Sequence, residues 1–511
     1  MSAEELLAQD FGTLADVIRE QARERPQHPA LVQGERRLTY GELDALMDRI
    51  AAALQRDGVA NGDAVAACAT TSLEYAATFF GILRAGGVVA PLAPSSTPES
   101  LAMMLKDSGA TIFFLDKGVA DALAPVAGQI TAKRVAFDVS DAGVAFQAWL
   151  APAGATPQPV AVTPDQGFNI IYSSGTTGAP KGIVQPHSMR WGHVRRGIYT
   201  QDAVTAISTP LYSNTTLVSF LPTVTNGGTA VLMPKFDAAE FLKLASKHRA
   251  THAMLVPVQY RRLLAYPGFD GFDLSSFRLK LSTSAPFAGT LKAEVLRRWP
   301  GDLVEYYGMT EGGGSCLLDA RRHPAKLDTV GQPMEGHEIR LIDEEGREVP
   351  PGGVGEVVGR SPAMMIGYFN RPEATAAAEW FDAEGRRFIR TGDVGRFDAD
   401  GFLVLADRKK DMIISGGFNI YPSDLEAVLV RHEAVAEAAV VGVASERWGE
   451  TPVAFVVLRS PDSATADEVR AYANERLGKT QRLAAVRLVA DLPRSPIGKV
   501  LKRELRASFT P

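Results

Sequence analysis

The chain has 511 residues, of which 46% are hydrophobic and 22% charged, and a net charge of −5. That length suits about two to four domains, each with its own core, and the mildly acidic balance excludes bulk attraction to nucleic acid or to an anionic membrane surface. Cys68 and Cys316 are the two cysteines and have no paired spacing, which argues against a disulfide framework or a zinc site and points to a reducing, cytoplasmic compartment. Residues 1–11 carry Glu4, Glu5 and Asp10 without an apolar run, so no signal peptide is expected. The most apolar window, 76–83, is followed by Arg84 and is too short to span a bilayer, so no integral membrane association is expected.

In chain order, Thr39 and Glu42 form a capping box, and Leu43, Leu46, Met47, Ile50 and Leu54 follow at helical spacing until Gly58. A second helix is predicted over 73–83, ending at Gly86-Gly87, and a short strand over 88–92. A helix over 98–107 and a strand over 111–115 repeat the alternation, which predicts an α/β layer architecture. Residues in this part read as scaffold. The prolines at 152, 157, 159 and 164 mark a connection between subdomains.

An apolar run over 168–172 predicts a buried strand, and the chain then reads Ser173-Ser174-Gly175-Thr176-Thr177-Gly178-Ala179-Pro180-Lys181. A glycine-rich loop after a strand can aim backbone N–H groups at an anion; four hydroxyls and a lysine add donors and charge, which suits a polyphosphate. It is not a Walker loop: Pro180 precedes the lysine where a glycine belongs, and Gly182 follows it where a hydroxyl belongs. The bland alternative is a surface loop that happens to be rich in Ser, Thr and Gly.

A helix from His187 is expected to carry Arg190, Arg195 and Arg196; the last is expected to be solvated, the alternative being that it pairs with a second acidic group of a ligand. A strand over 280–284 is expected to end in Ser282, Thr283 and Ser284. Residues 304–314 read as a strand ending in aromatic residues, followed by Thr310, Glu311 and three glycines. Ligands in α/β sheets gather at the carboxyl ends of strands, so beside a phosphate loop this segment offers a hydroxyl for phosphate and a carboxylate for Mg²⁺. Residues 330–360 predict a small β subdomain. Asp393 follows another strand and suits ribose hydroxyls. The charged break at 407–411 sets an expected boundary between a domain over 1–409 and one over 410–511. The second domain shows a helix near 423–431, strands at 438–443 and 453–458, and a helix opened by the Thr465/Glu468 capping box and stopped at Gly478. A loop over 492–500 exposes Lys499.

Taken together, over about residues 12–507, these segments resemble the adenylate-forming superfamily of acyl-CoA synthetases, luciferases and peptide-synthetase adenylation domains. The resemblance implies an α/β fold: a large N-terminal domain of layered subdomains with a small β-barrel-like subdomain, then a small mobile α+β domain. It implies that Ser173, Ser174, Gly175, Thr176, Thr177, Gly178 and Lys181 form the phosphate loop. Tyr307, Gly308, Met309 and Thr310 would meet the nucleotide, and Glu311 with Thr177 would hold Mg²⁺. Asp393 and Arg408 are further nucleotide contacts by the same resemblance, Lys410 the hinge, and Lys499 the catalytic lysine. Cys316 is expected to be a buried, inert thiol.

Within the superfamily the chain looks most like chlorobenzoate- and coumarate-type CoA ligases, through 411–417 and Arg447-Trp448-Gly449. Gly416, Gly417, Trp448 and Arg482 then match CoA-binding positions, and Tyr212, Ser213, Ser282, Thr283, Ser284, Gly312, Gly313 and Gly314 the acyl pocket. Two departures stand out. Ser213-Asn214 follow Tyr212 where the family often has histidine, and Gly312-Gly313-Gly314 stand where larger side chains are common. Both lead us to expect a roomier pocket, for a mostly apolar acid bulkier than benzoate. The partners implied are a small carboxylic acid, ATP and CoA, with a homodimer compatible. A free carrier protein as acceptor, a light-emitting oxygenase and a non-catalytic nucleotide binder stay open as alternatives.

Overall fold

Strands covered by helices on both faces read as unbroken apolar runs, because neither face meets water. Ala64–Cys68, Val88–Pro91 and Ile112–Leu115 are such runs, buried throughout, and they pair in parallel. The structure is a computed structural model and describes residues 1–172, 180–408, 411–415, 418–445, 448–478, 481–495 and 498–509; the side chains at 407, 408, 418 and 419 lie outside the description.

Among the described residues the strands form four sheets. One of eight strands has Ala64–Cys68 near its centre and runs out through Gly167–Tyr172 and Gly182–Pro186 to Gly367–Tyr368. One of nine strands carries His252–Leu255, Leu279–Ser282 and Asp302–Met309 in parallel, then turns antiparallel into Gly312–Asp319. Helices Tyr40–Arg56, Leu73–Arg84 and Asn214–Thr225 share one hydrophobic core with strands of both sheets. Phe80 and Phe220 meet there at 5.3 Å between ring centroids. Gly81 allows the first two helices to touch, since a Cβ on it would sit 2.7 Å from Ile50 Cβ.

A five-stranded antiparallel sheet of Glu338–Ile342, Gly355–Arg360, Glu379–Phe381, Arg387–Phe397 and Leu403–Arg408 forms the small β subdomain. Beyond residue 410, Ile413–Ser415, Phe418–Ile420, Val435–Ser445, Gly449–Leu458 and Ala485–Leu488 make a separate sheet, packed on Pro422–Leu429 and Ala466–Arg476. The α/β class and layered architecture are as expected. Both capping boxes form, at Thr39/Glu42 and at Thr465/Glu468.

Two local expectations need correction. The helix from His187 ends at Val194, so Arg195 is its C-terminal cap and Arg196 lies beyond it; Gly197, at φ +69°, turns the chain out of helical geometry. Asp393 does not follow a strand but lies within one, Arg387–Phe397. The triple glycine opens strand Gly312–Asp319, which pairs antiparallel with Asp302–Met309.

Candidate active site

A cleft of about 1960 Å³ opens at the carboxyl ends of Gly167–Tyr172, Leu279–Ser282 and Asp302–Met309, where α/β sheets collect ligands. It exceeds the roughly 300–1,000 Å³ of a pocket for one small ligand, so there is room for a nucleotide and an acid together.

At one end Tyr307 donates its hydroxyl hydrogen to Asp393 Oδ2 at 2.8 Å. Burial, with Asp393 beside it, pushes the Tyr307 phenol well up, so it stays a donor and orients the carboxylate. Thr391 Oγ1 accepts from the Asp393 N–H at 3.0 Å and donates to Val357 O, holding strand Arg387–Phe397 where its register against Gly355–Arg360 shifts. Asp393 stands opposite Arg408 in the register of Arg387–Phe397 with Leu403–Arg408.

Gly308, Met309, Thr310, Glu311 and Gly312 line the middle. Gln185 Nε2 donates to Thr310 O at 2.6 Å, and Met365 N–H donates to Glu311 O at 2.8 Å. The Glu311 carboxylate accepts from the Tyr368 hydroxyl at 2.9 Å, and Lys181 Nζ sits over the Tyr368 ring at 5.1 Å. Tyr368 therefore connects two candidates far apart in sequence. The sequence reading missed it, because only the pairing of Gly367–Tyr368 with Gly182–Pro186 brings it there.

Lys499 enters the same cleft from the C-terminal region. Its loop is closed by Ser495 N–H donating to Lys499 O at 2.8 Å and by Lys499 N–H donating to Ser495 Oγ at 3.2 Å. Gly498, at φ +77°, lies against helix Pro257–Leu264, where a Cβ would come within 2.8 Å of Val258 Cγ1. Arg494 and Arg261 both pair with Glu437, linking that helix to strand Val435–Ser445.

The remaining end is lined by Tyr212, Ser213, Thr283 and Ser284, and by apolar Ile198, Val218, Met254 and Leu281. Thr215 Oγ1 and Ser284 Oγ hydrogen-bond at 2.5 Å; burial pushes the Tyr212 phenol up to about 12.

Several expectations are corrected here. Ser282 is fully buried away from the cleft. Gly313 and Gly314 do not line it, and their missing side chains make no room for substrate. A Cβ on Gly313 would lie 3.0 Å from Gly359 O, and one on Gly314 2.6 Å from Glu338 O. These glycines let the strand lie against the β subdomain. Gly312 does line the cleft, but its φ of +82° and the nearby Ala363 carbonyl demand glycine. Arg196 is not on the outer surface: it is half-buried in the cleft wall, its guanidinium over the Tyr306 ring at 6.0 Å.

Trp448 and Arg482 are exposed and do not line the cleft. Ser173, Ser174, Gly175, Thr176, Thr177, Gly178, Lys410, Gly416 and Gly417 lie outside the described residues, as does the Arg408 side chain. Cys316 is buried, its thiol pushed up to about 12 by that burial. Among the described residues no helix is long and apolar enough to cross a membrane.

With this geometry in view, comparison with known proteins defines the class. The family described as AMP-binding enzyme matches residues 18–369, and its C-terminal domain matches 424–499. The chain belongs to the AMP-binding enzyme family. It is 34% identical to a fatty acid–[acyl-carrier-protein] ligase of Streptomyces coeruleorubidus, covering 97% of this chain and 96% of the relative. It is 35% identical to a feruloyl-CoA synthase of Amycolatopsis sp, covering 96% and 97%. The structure of o-succinylbenzoate CoA synthetase from Bacillus subtilis with its acyl-adenylate intermediate matches with a TM-score of 0.83 at 28% identity, covering 97% of this chain and 98% of that one.

Proposed function

We propose that the protein is a carboxylate–CoA ligase: it joins an acid to AMP with release of pyrophosphate, then passes the acyl group to the thiol of CoA, releasing AMP. The observation that carries this reading is that Lys499, from a C-terminal loop, opens into the same cleft as Thr310, Glu311 and Asp393. A carboxylate is a poor electrophile, and the mixed anhydride with AMP supplies a leaving group. Bringing the carboxylate to a triphosphate costs about 4 kcal/mol per pair of like charges at 4 Å and an effective dielectric near 20. Lys499 would bridge the carboxylate and the α-phosphate as charge develops between them. Lys181 and the loop over 173–178 would hold the outer phosphates, and Asp393, oriented by Tyr307, the ribose.

The donor set fits Mg²⁺. Glu311 lines the cleft next to Thr310 and offers one carboxylate there. Magnesium in nucleotide enzymes takes one or two carboxylates plus phosphate oxygens, so Glu311, with Thr177, would be its protein ligands. Bound there, the ion would neutralise phosphate charge. No nucleophilic side chain is required, and the raised Cys316 thiol is unsuited to serve as one.

The thiol step fits a second arrangement of the domain over 410–511. Gly416, Gly417, Trp448 and Arg482, the candidate CoA contacts, belong to the domain that presents Lys499. A rotation about Lys410 between the steps would exchange them, a hinge motion of a recognised kind. A cytoplasmic setting fits the two unpaired, buried cysteines.

A second reading, acyl transfer to a free carrier protein, is favoured by the Streptomyces relative alone. Both are tested by a panel of aliphatic and aromatic acids scored for pyrophosphate release, with CoA or a holo-carrier protein as acceptor. Acyl-CoA formation is expected. Acyl transfer to the carrier with none to CoA would replace the first reading by the second.

A further inference from the structure

The acyl end of the cleft is apolar along its walls and cationic at one point. Arg196 borders it together with Ile198, Val218, Met254 and Leu281. Arginine stays charged in proteins, yet among the described residues no carboxylate pairs with Arg196; its partner is the Tyr306 ring and hydroxyl. Arg190 nearby is a different case, fully buried and spent on Asn169 and Asn214 at 3.3 and 2.8 Å.

The groups around Arg196 are donors too. His337 Nδ1 accepts the Ser315 N–H at 2.9 Å, so its proton sits on Nε2. His193 Nδ1 faces Arg190 Nη1 at 3.5 Å; arginine can only donate, so this ring is also protonated on Nε2. Both imidazoles line the cleft. Burial and the Arg196 charge hold His193 well below its ordinary pKa and His337 down at about 4, so neither adds charge. The cluster is one fixed cation with two neutral N–H donors and no acceptor of matching charge. An alkyl or aryl tail against it would strip water from the guanidinium and offer nothing in return; a carboxylate would accept from the guanidinium and match its charge.

We propose that Arg196 is a specificity-determining residue that pairs with a second carboxylate on the substrate, so that the preferred acid is dicarboxylic, with an apolar body, activated at one end only. The inference rests on the ligase reading above and names its substrate class. The reacting carboxylate lies at the Thr310 and Lys499 end; Arg196 takes the other.

The test compares kcat/KM for acid-dependent pyrophosphate release within matched pairs: adipate against hexanoate, azelate against nonanoate, terephthalate against benzoate. The native enzyme is expected to favour the diacid by about tenfold or more in at least one pair, the scale of a charge-assisted hydrogen bond. Arg196→Met should reduce that diacid-to-monoacid ratio about ten- to a hundredfold, and Arg196→Lys should recover part of it. A merely structural role would lower both members of a pair alike, and that result overturns the proposal. So does a native preference for the monoacid in every pair, a comparison that needs no variant to fold. Release with monoacids alone leaves the ligase reading standing; no release with any acid overturns both.

Discussion

Lys499 reaches the cleft because the residue before it is glycine. Gly498 takes φ +77° and fits against Val258, a place a side chain would contest. The account makes this amine an agent of adenylation and not of thiol attack. Lys499→Ala should therefore slow acyl-AMP formation by about a hundredfold to a thousandfold, the usual loss when a preorganised charge is removed from developing negative charge. The reaction of supplied acyl-AMP with CoA should stay close to native. Timing each half-reaction by rapid quench checks this; equal slowing of both would contradict the assignment.

A second prediction at this scale concerns His187, whose two ring nitrogens are buried without a hydrogen-bond partner, against Phe168 at 5.0 Å. Burial holds it at about 4, below the 6.5 of an unfolded chain. Between those values the unfolded chain binds a proton that the native one refuses. Its contribution to stability is full above pH 6.5 and falls toward pH 4, by about 1.4 kcal/mol per unit at most. His187→Leu should flatten the pH dependence of the urea midpoint in that window; an unchanged slope would contradict the burial argument.

Lys181, Thr310, Glu311 and Asp393 stood out in the sequence because each sits in a short run whose residue types suggest a chemistry, and Lys499 through the family resemblance; the structure brings all five to one cleft. Tyr368 did not stand out: the pairing that brings it to Lys181 and Glu311 joins strands more than a hundred residues apart, and no local pattern marks a tyrosine that will meet a carboxylate. Arg196 stood out in the sequence as a candidate partner for a second acidic group, but its place over the Tyr306 ring was not readable there.

Among elements, helix starts were the most readable feature, since a capping box is a local hydrogen-bond device written in two residues. Helix ends were less so: Arg195 and Arg196 continue a helical composition, and only the φ of Gly197 breaks it. The triple glycine shows why composition misleads about space. A run of small residues looks like room for a ligand, yet the room at Gly313 and Gly314 is already taken by the neighbouring sheet. Gly314→Ala should destabilise the protein by about 1–3 kcal/mol through overpacking, because its Cβ would meet Ile339 and Glu338 O. The relative rates for acids of different size should not change. Urea unfolding and a panel of straight-chain acids check both parts; a neutral midpoint with altered size preference would restore the glycines to the pocket.

For the molecule as a whole, the layered α/β body and the later sheet were predictable from alternating helices and buried strands, whereas the meeting of their surfaces was not. Arg261, Arg494 and Glu437 tie helix Pro257–Leu264 to the C-terminal sheet. With that contact made, Lys499 faces the cleft and Trp448 stands 47% exposed outside it. This arrangement suits adenylation and leaves the thiol step to another. The measurement closest to the central claim is the identity of the products formed from ATP, an accepted acid and CoA, resolved by chromatography. The account predicts AMP, pyrophosphate and acyl-CoA in equal amounts, with acyl-AMP accumulating when CoA is withheld; ADP and orthophosphate would contradict it.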